Sequence, residues 1–163
     1  MTTGNDMTPD SGTITAIWTA PDAGAPMVGH DTIEAITDHG LVGDRYTDGH
    51  GSYSKPGDHP DRQLTLIEQE QFDWLLATHG IALTGEQSRR NLVTTGISLN
   101  DLVGQRFNIG AIEVEGIRLC QPCGPLAEAL GFDFVHLMLN RSGINCRIVS
   151  GGTIATGDAI TTS

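Results

Sequence analysis

The residues best suited to chemistry are two thiols three positions apart, Cys120 and Cys123, in the segment CQPCGP. Between them, Pro122 is placed to open a short helix, because its fixed φ suits the first helical position. Unpaired backbone N–H groups and the helix dipole at such an N-terminus stabilise a thiolate and increase its reactivity. Arg118 adds a positive charge two residues before the first thiol. The segment therefore predicts a thiolate that is nucleophilic, carries sulfur or ligates a metal.

Three other interpretations of the two thiols remain open. A redox pair of the thioredoxin type needs a βαβ context, whereas this pair follows a predicted hairpin strand. A structural zinc site needs two further ligands, which Cys146 and His136 could supply, although the chain has no second CxxC motif. The third interpretation is a pair of buried, unreactive thiols, because free cysteine is commonly buried.

Two further motifs hold groups that could bind an anion. The first is GDR at residues 43–45, which by itself is ordinary turn chemistry. The second is RRN at residues 89–91, where two guanidinium groups and an amide precede a predicted strand and suit a phosphate or carboxylate. The alternative for this motif is an exposed basic pair that forms salt bridges in an acidic protein. The histidines and aspartates of residues 48–61 lack the ordered spacing of metal ligands and are interpreted as a solvated loop.

The pattern around these motifs predicts many short strands and few helices. Strands are predicted at residues 12–20, 32–37, 63–67, 91–94, 105–109, 111–119, 147–149 and 159–162, with a hairpin around Gly110 and the loop SGGTIATGD before the last strand. Helical segments are predicted at 68–78, 99–103, 122–130 and 132–140, and Gly80 is expected to end the first. We therefore predict a mainly β fold, a β-barrel with a few short flanking helices. It forms one domain over residues 12–163, after a flexible lead of residues 1–11.

Residues 38–62 are rich in Gly, Asp, His and Pro and predict a long loop. A loop with little apolar surface to bury stays ordered only where hydrogen bonds or a ligand hold it. We expect its middle, residues 48–60, to form a mobile rim over the cysteine cleft. Asp44 and Arg45 are expected to anchor its base.

The composition excludes several classes of function. The 163 residues carry twenty acidic and nine basic side chains, a formal charge of −11. This charge argues against binding nucleic acid or an anionic membrane surface, since both need clustered Arg and Lys. The first dozen residues lack the basic group and apolar run of a secretory signal, and no apolar stretch approaches the roughly 20 residues of a membrane span. A cytoplasmic protein with reduced thiols is expected.

Six motifs occur in an order that resembles a known family. The chain reads GLVGDRY at 40–46, RQLTLIE at 62–68, RRNLVTTGI at 89–97, LVGQRFNIG at 102–110, CQPC at 120–123 and CRIVSGGTIATGD at 146–158. This succession resembles the MOSC domain, the module named for the C-terminal part of molybdenum cofactor sulfurases, in its free-standing bacterial form. The resemblance covers residues 12–160 and implies a PK-type β-barrel whose cleft holds a cysteine, here Cys123.

The resemblance also implies a function. A protein of this kind binds the molybdenum cofactor (molybdopterin) through the Cys123 thiolate, or carries sulfur on it as a persulfide. The implied reactions are oxo transfer, such as the reduction of N-hydroxylated compounds, and sulfur delivery, with a small-molecule substrate and a redox or desulfurase protein as partner. The alternative is a non-catalytic carrier or binding module for the cofactor or persulfide.

The resemblance assigns roles to individual residues as well. Cys123 is the implied molybdenum ligand or sulfur carrier, and Cys120 is a secondary, helper thiol. The implied cofactor-binding residues are Asp44, Arg45, Arg62, Arg89, Arg90 and Asn91, and the nearby cation Arg118 joins them. We expect the arginines of the first and third motifs to converge on the cysteine cleft. Tyr46 stands where many relatives have His, and pyridoxal phosphate is not expected, because the desulfurase domain is absent and Lys55 is the only lysine.

Overall fold

The computed structural model describes residues 11–22, 24–44, 63–122 and 134–162. The strands within these ranges are β1 Ser11–Thr19, β2 Val28–His30, β3 Thr32–Ile36, β4 Gly40–Leu41, β5 Leu64–Glu68, β6 Leu92–Thr95, β7 Arg106–Ile109, β8 Ile112–Leu119, β9 Ile144–Ser150, β10 Gly152–Ala155 and β11 Ala159–Thr161. The helices are α1 Gln69–His79, α2 Gly85–Ser88 and α3 Phe134–Leu137, together with a 3₁₀ turn over Leu99–Leu102. None of these helices is long and apolar enough to cross a membrane.

Seven of the strands close into a barrel in the order β1, β6, β5, β9, β8, β7 and β11, which returns to β1. Only the β5–β6 pair among these neighbours is parallel. One side of β1 pairs with β6, and its other side pairs with β11 at the start and with β2 at the end. A register shift between Ile14 and Ala16 bends β1 where its partners change. Closure lets each barrel strand pair on both sides, which removes the edges of an open sheet.

Alternation along the strands fills the barrel with aliphatic side chains. Leu64 and Leu66 of β5 and Ile144 and Cys146 of β9 lie in the same interior cluster. Successive side chains of a strand point to opposite faces, so the residues between these four face outward. The barrel wall therefore has an outer face on which polar side chains can be arranged.

The helices cover part of that outer face. Phe72 and Leu75 of α1 pack with outward-facing residues of β5 and β6 in a second apolar cluster, whose buried members are Ile67, Phe72, Leu75, Leu83, Val93 and Met138. Helix α1 ends at Gly80, which adopts the left-handed conformation with φ 68°, as the sequence predicts. The uncovered part of the outer face, beside this cluster, is where the candidate site lies.

The predicted fold class, a mainly β barrel with short helices, is confirmed. Four details differ from the predictions. Residues 40–41 of the predicted long loop form β4, and the predicted loop SGGTIATGD contains β10, because both segments pair with β3. Helix α3 spans 134–137 rather than 132–140, and β2 and α2 lie in segments where no element was predicted.

These differences have one physical cause. β4 and β10 are short, and each is a strand because it pairs with β3, not because of its own apolar pattern. Ser11, the last residue of the predicted lead, opens β1 by pairing with Thr161. The predicted helix at 122–130 and the predicted rim at 48–60 lie outside the described residues, apart from Pro122.

Candidate functional site

The cysteine segment leaves the end of β8 in a fixed position. The backbone N–H of Cys120 donates to the carbonyl oxygen of Gly143 at 2.8 Å. The side chain of Gln121 makes two hydrogen bonds with Asn140, donating to its Oδ1 at 2.7 Å and accepting from its backbone N–H at 2.9 Å. Pro122 is buried. The chain that leads into Cys123 is thus held against residues 140–143, while Cys123 itself lies outside the described residues.

Glycine at position 143 permits this close approach. Its φ is 87°, and a Cβ there would collide with the carbonyl oxygen of Leu66. The backbone before β9 therefore lies directly against β5. This contact places the Gly143 carbonyl where it receives the Cys120 N–H.

Arg90 is bound to the same two segments. Its Nε donates to the carbonyl oxygen of Ser142 at 3.0 Å, and its Nη2 approaches the carbonyl oxygen of Gln121 at 3.5 Å. The residue is 8% exposed, and no carboxylate of the described residues forms an ion pair with it. Two of its five N–H donors are used by these carbonyls. A buried charge is costly unless it is paired, so this guanidinium is suited to an anionic ligand.

Arg89 reaches a different part of the molecule. Helix α2 begins with a capping box between Thr84 and Gln87 and ends at Arg89, which adopts the left-handed conformation with φ 61°. The Arg89 Nη1 donates to the carbonyl oxygen of Ala25 at 2.8 Å, in the connection between β1 and β2. Of the two adjacent arginines, the structure brings Arg90 to the cysteine segment and takes Arg89 to the β1–β2 connection.

Asn91 and Asp44, both predicted to bind cofactor, are buried and hold the backbone. Asn91 Oδ1 accepts from both the backbone N–H (3.1 Å) and the hydroxyl (3.2 Å) of Thr65, and its Nδ2 donates to the carbonyl oxygen of Trp18 (3.0 Å). Asp44 Oδ1 accepts from the backbone N–H of Ala20 at 3.1 Å. Asn91 therefore joins β1 and β5 next to Arg90 and fixes where Arg90 begins. Arg45 and Arg62 lie outside the described residues.

A row of polar side chains crosses the outer face beside the cysteine segment. Asn145 of β9 pairs in register with Arg118 of β8 on one side and with Thr65 of β5 on the other. Thr65 continues the row through its hydroxyl, which accepts from the backbone N–H of Asn91 at 2.9 Å. We call Arg118, Asn145, Thr65 and Asn91 the polar row. Arg118 is exposed, two residues before Cys120.

Asn145 is the member of the row whose side chain is buried without a hydrogen bond from any described residue. It is 4% exposed. A buried amide that finds no partner costs about 1–3 kcal/mol. Such a group in a natural protein calls for an explanation, and a bound ligand is one.

Sequence reasoning missed Thr65 and Asn145, although a signal was present. Each lies between two apolar residues that face the barrel interior, in LTL and INC. Alternation therefore places both on the outer face. What the sequence does not contain is the register that makes them neighbours.

The remaining described thiol, Cys146, belongs to the barrel interior. Burial raises the pKa of the Cys146 thiol far above its usual range, and the nearby Cys120 adds to the rise. A thiol in this state stays protonated, whereas a zinc ligand must be a thiolate. His136, the other predicted zinc ligand, is exposed on α3. The described ranges contain no group of three or more His, Cys, Asp or Glu that could hold a metal ion.

Comparison with known proteins identifies the family. The family model of the MOSC domain matches residues 47–161. The chain belongs to the MOSC domain family. The match spans both sides of the cysteine segment and includes Arg90 and the polar row. A search of curated proteins finds no match to the chain.

Solved structures share the fold of this family member. The YUAD protein from Bacillus subtilis is 19% identical with a TM-score of 0.76, covering 92% of this chain and 94% of that one. YiiM from Geobacillus stearothermophilus is 17% identical with a TM-score of 0.68, covering 93% and 75%. YiiM from Escherichia coli is 18% identical with a TM-score of 0.67, covering 93% and 69%. At these identities the likeness shows a common barrel.

Proposed function

We propose that this MOSC protein binds the molybdenum cofactor in the cleft beside the cysteine segment, with the Cys123 thiolate as molybdenum ligand and Arg90 as phosphate ligand. The observation that carries the proposal is Arg90, a guanidinium 8% exposed and bound to two carbonyls beside the cysteine segment. No described acidic residue pairs with it, although the chain has twenty. An anionic ligand would supply the missing counter-charge.

The residues present fit this cofactor. A thiolate is a soft ligand that suits molybdenum, and the cofactor's phosphate suits the fork of N–H donors on an arginine. The polar row next to the same segment offers amide and hydroxyl groups for a polar ring system. The formal charge of −11 opposes long-range attraction of an anion, so binding would depend on this local arrangement.

Each group would have its own task. Arg90 would hold the phosphate through the N–H donors that the carbonyls of Ser142 and Gln121 leave open. Asn91 would keep Arg90 in place through its bonds to β1 and β5. The hydrogen bonds that fix residues 120–122 would set the position from which Cys123 approaches the metal. When bound, the cofactor supplies two-electron oxo transfer, for which N-hydroxylated compounds are the proposed substrates.

Sulfur delivery is the second candidate function, and the thiol Cys120 favours it. Cys120 is half-buried rather than enclosed like Cys146, and it precedes Cys123 by three residues. In this function, a thiolate of the pair attacks the outer sulfur of a donor persulfide, and the donor leaves as a thiolate. The product is a cysteine persulfide on this chain, and no external oxidant is consumed.

The test is the content of the protein purified from a host that makes the molybdenum cofactor. We expect close to one molybdenum and one pterin per chain in the wild type, neither in Cys123→Ser, and wild-type amounts in Cys146→Ser. Cys146 is the matched control because its thiol lies inside the barrel. Persulfide without pterin would favour sulfur delivery, and stoichiometric zinc without pterin would contradict both functions.

A further inference from the structure

Asn145 lies on β9 between two residues that face the barrel interior, so its side chain faces the opposite side of the wall. That side is the outer face, yet Asn145 is 4% exposed. It is therefore enclosed among polar neighbours, not in the aliphatic core. An amide carries two N–H donors and an oxygen with two lone pairs, and these are seldom left unused when buried.

The neighbours of Asn145 do not use this capacity. Across the sheet lie Thr65 and Arg118. The Thr65 hydroxyl both accepts from and donates to Asn91. Arg118 Nη1 is directed at the carbonyl oxygen of Leu119 at 3.4 Å. No described residue forms a hydrogen bond with the Asn145 amide, so its donors and acceptor remain available to a ligand.

The chain just before Asn145 carries the two links to the rest of the candidate site. The Ser142 carbonyl binds Arg90 Nε, and the Gly143 carbonyl binds the Cys120 N–H. Asn145 therefore adjoins the guanidinium and the cysteine segment through a stretch of four residues. A ligand that reaches from Cys123 towards Arg90 would pass the end of β9.

We propose that the Asn145 amide binds the pterin ring of the cofactor and selects for it. This inference rests on the proposed function. The pyrimidinone ring of a pterin presents a carbonyl oxygen beside a ring N–H, and a carboxamide presents the complementary donor and acceptor. A site that holds an unpaired polar group rejects ligands that leave it unpaired, so Asn145 acts as a specificity residue.

The test compares Asn145→Leu and Asn145→Ala with wild type, all purified from a host that makes the cofactor. Pterin per chain and its rate of release after dilution are followed by the fluorescence of the oxidised pterin, and stability is followed by thermal unfolding. We expect release from Asn145→Leu to be about five- to tenfold faster, with a melting temperature equal to or above that of the wild type. The two readouts move in opposite senses because the substitution removes a buried amide that has no partner in the protein.

The matched control is Asn108→Leu. Asn108 is half-buried on β7, and its Nδ2 donates to the carbonyl oxygen of Ile112 at 3.2 Å. We expect this variant to lose stability and to release pterin at the wild-type rate. Asn145→Ala separates loss of the amide from the added bulk of leucine.

Each remaining outcome overturns a stated claim. If both Asn145 variants hold pterin like the wild type, or lose stability as Asn108→Leu does without faster release, Asn145 is structural and the inference fails while the proposed function stands. If the wild type carries no pterin, the proposed function fails and the inference fails with it.

Discussion

Arg89 and Arg90 show how adjacent, chemically identical residues acquire different tasks. The left-handed backbone at Arg89 ends α2 and turns the two side chains towards different partners. One guanidinium reaches Ala25, and the other reaches Ser142 and Gln121. The sequence motif RRN is consistent with an anion clamp, but the geometry assigns the clamp to one of its arginines.

Replacing Arg90 should weaken cofactor binding more than it weakens the fold. A hydrogen bond to a charged group contributes about 1.5–3 kcal/mol, so Arg90→Gln is expected to lower affinity by about 10- to 100-fold. Arg90→Lys keeps the charge without the fork and should lie between wild type and Arg90→Gln. Arg106→Gln, at the exposed start of β7, removes the same charge elsewhere and should retain pterin. Equal pterin retention in the position-90 and position-106 variants would remove Arg90 from the site.

Two buried threonines offer a matched pair for stability. Thr94 is fully buried, and its hydroxyl has no hydrogen bond, whereas the hydroxyl of Thr65 bonds Asn91 twice. Thr94→Val should therefore stabilise the protein by about 1 kcal/mol, while Thr65→Val should destabilise it by about 1–3 kcal/mol. Urea unfolding measures both. The same sign for the two variants would contradict the hydrogen-bond assignment.

At the scale of elements, the site depends on how closely β9 approaches β5. Gly143 allows this contact, since a Cβ at that position would collide with Leu66 and would lie 2.8 Å from the Leu66 carbonyl carbon even without movement. The carbonyl of the same glycine holds Cys120. One backbone position thus serves both the barrel wall and the cysteine segment.

Gly143→Ala should destabilise the protein by roughly 3 kcal/mol or more, because strain at positive φ adds to a clash with backbone. Gly157→Ala is the control, since Gly157 has φ 94° with no atom within 4 Å of its Cβ position, and it should cost roughly 1–2 kcal/mol. Equal free energies of unfolding for the two variants would show that β9 can move away from β5.

The sequence predicted elements with a pattern of their own and missed those that arise by pairing. The alternation at residues 12–20 predicted β1, and the apolar spacing of Phe72 and Leu75 predicted α1. β4 and β10 are two and four residues long and could not be recognised without β3. The same limit applies to the site. Arg90 was found from its residue type, whereas Asn145 became a candidate only when register placed it beside Arg118 and Thr65.

At the scale of the whole molecule, long-range ion pairs attach the small sheet to the barrel. Asp38 lies between β3 and β4 and accepts from Arg147 of β9 at 2.6 Å, and Arg147 also lies 3.6 Å from Glu115 of β8. The hydrogen bond from Arg147 holds the pKa of Asp38 below its usual value. The three groups are partly exposed, so their contribution is screened by solvent.

The sign of the resulting pH dependence follows from that lowered pKa. A carboxyl group with a depressed pKa in the folded state stabilises the protein above its unfolded pKa of about 3.9, and this contribution disappears as the pH falls through the folded value. Asp38→Asn should therefore lower the melting temperature at pH 6 and leave it unchanged near pH 2, with the two curves merging below about pH 4. A constant difference across this range would contradict the ion pair as the cause.

The central claim is that Arg90 and the cysteine segment form one cofactor site although they come from distant parts of the chain. Its most direct test is the crystal structure of the protein purified from a host that makes the molybdenum cofactor. The account predicts a phosphate oxygen within about 3 Å of an Arg90 N–H donor and the Cys123 Sγ bonded to molybdenum in the same cleft. A cofactor bound away from Arg90, or a zinc ion held by Cys120 and Cys123, would contradict it.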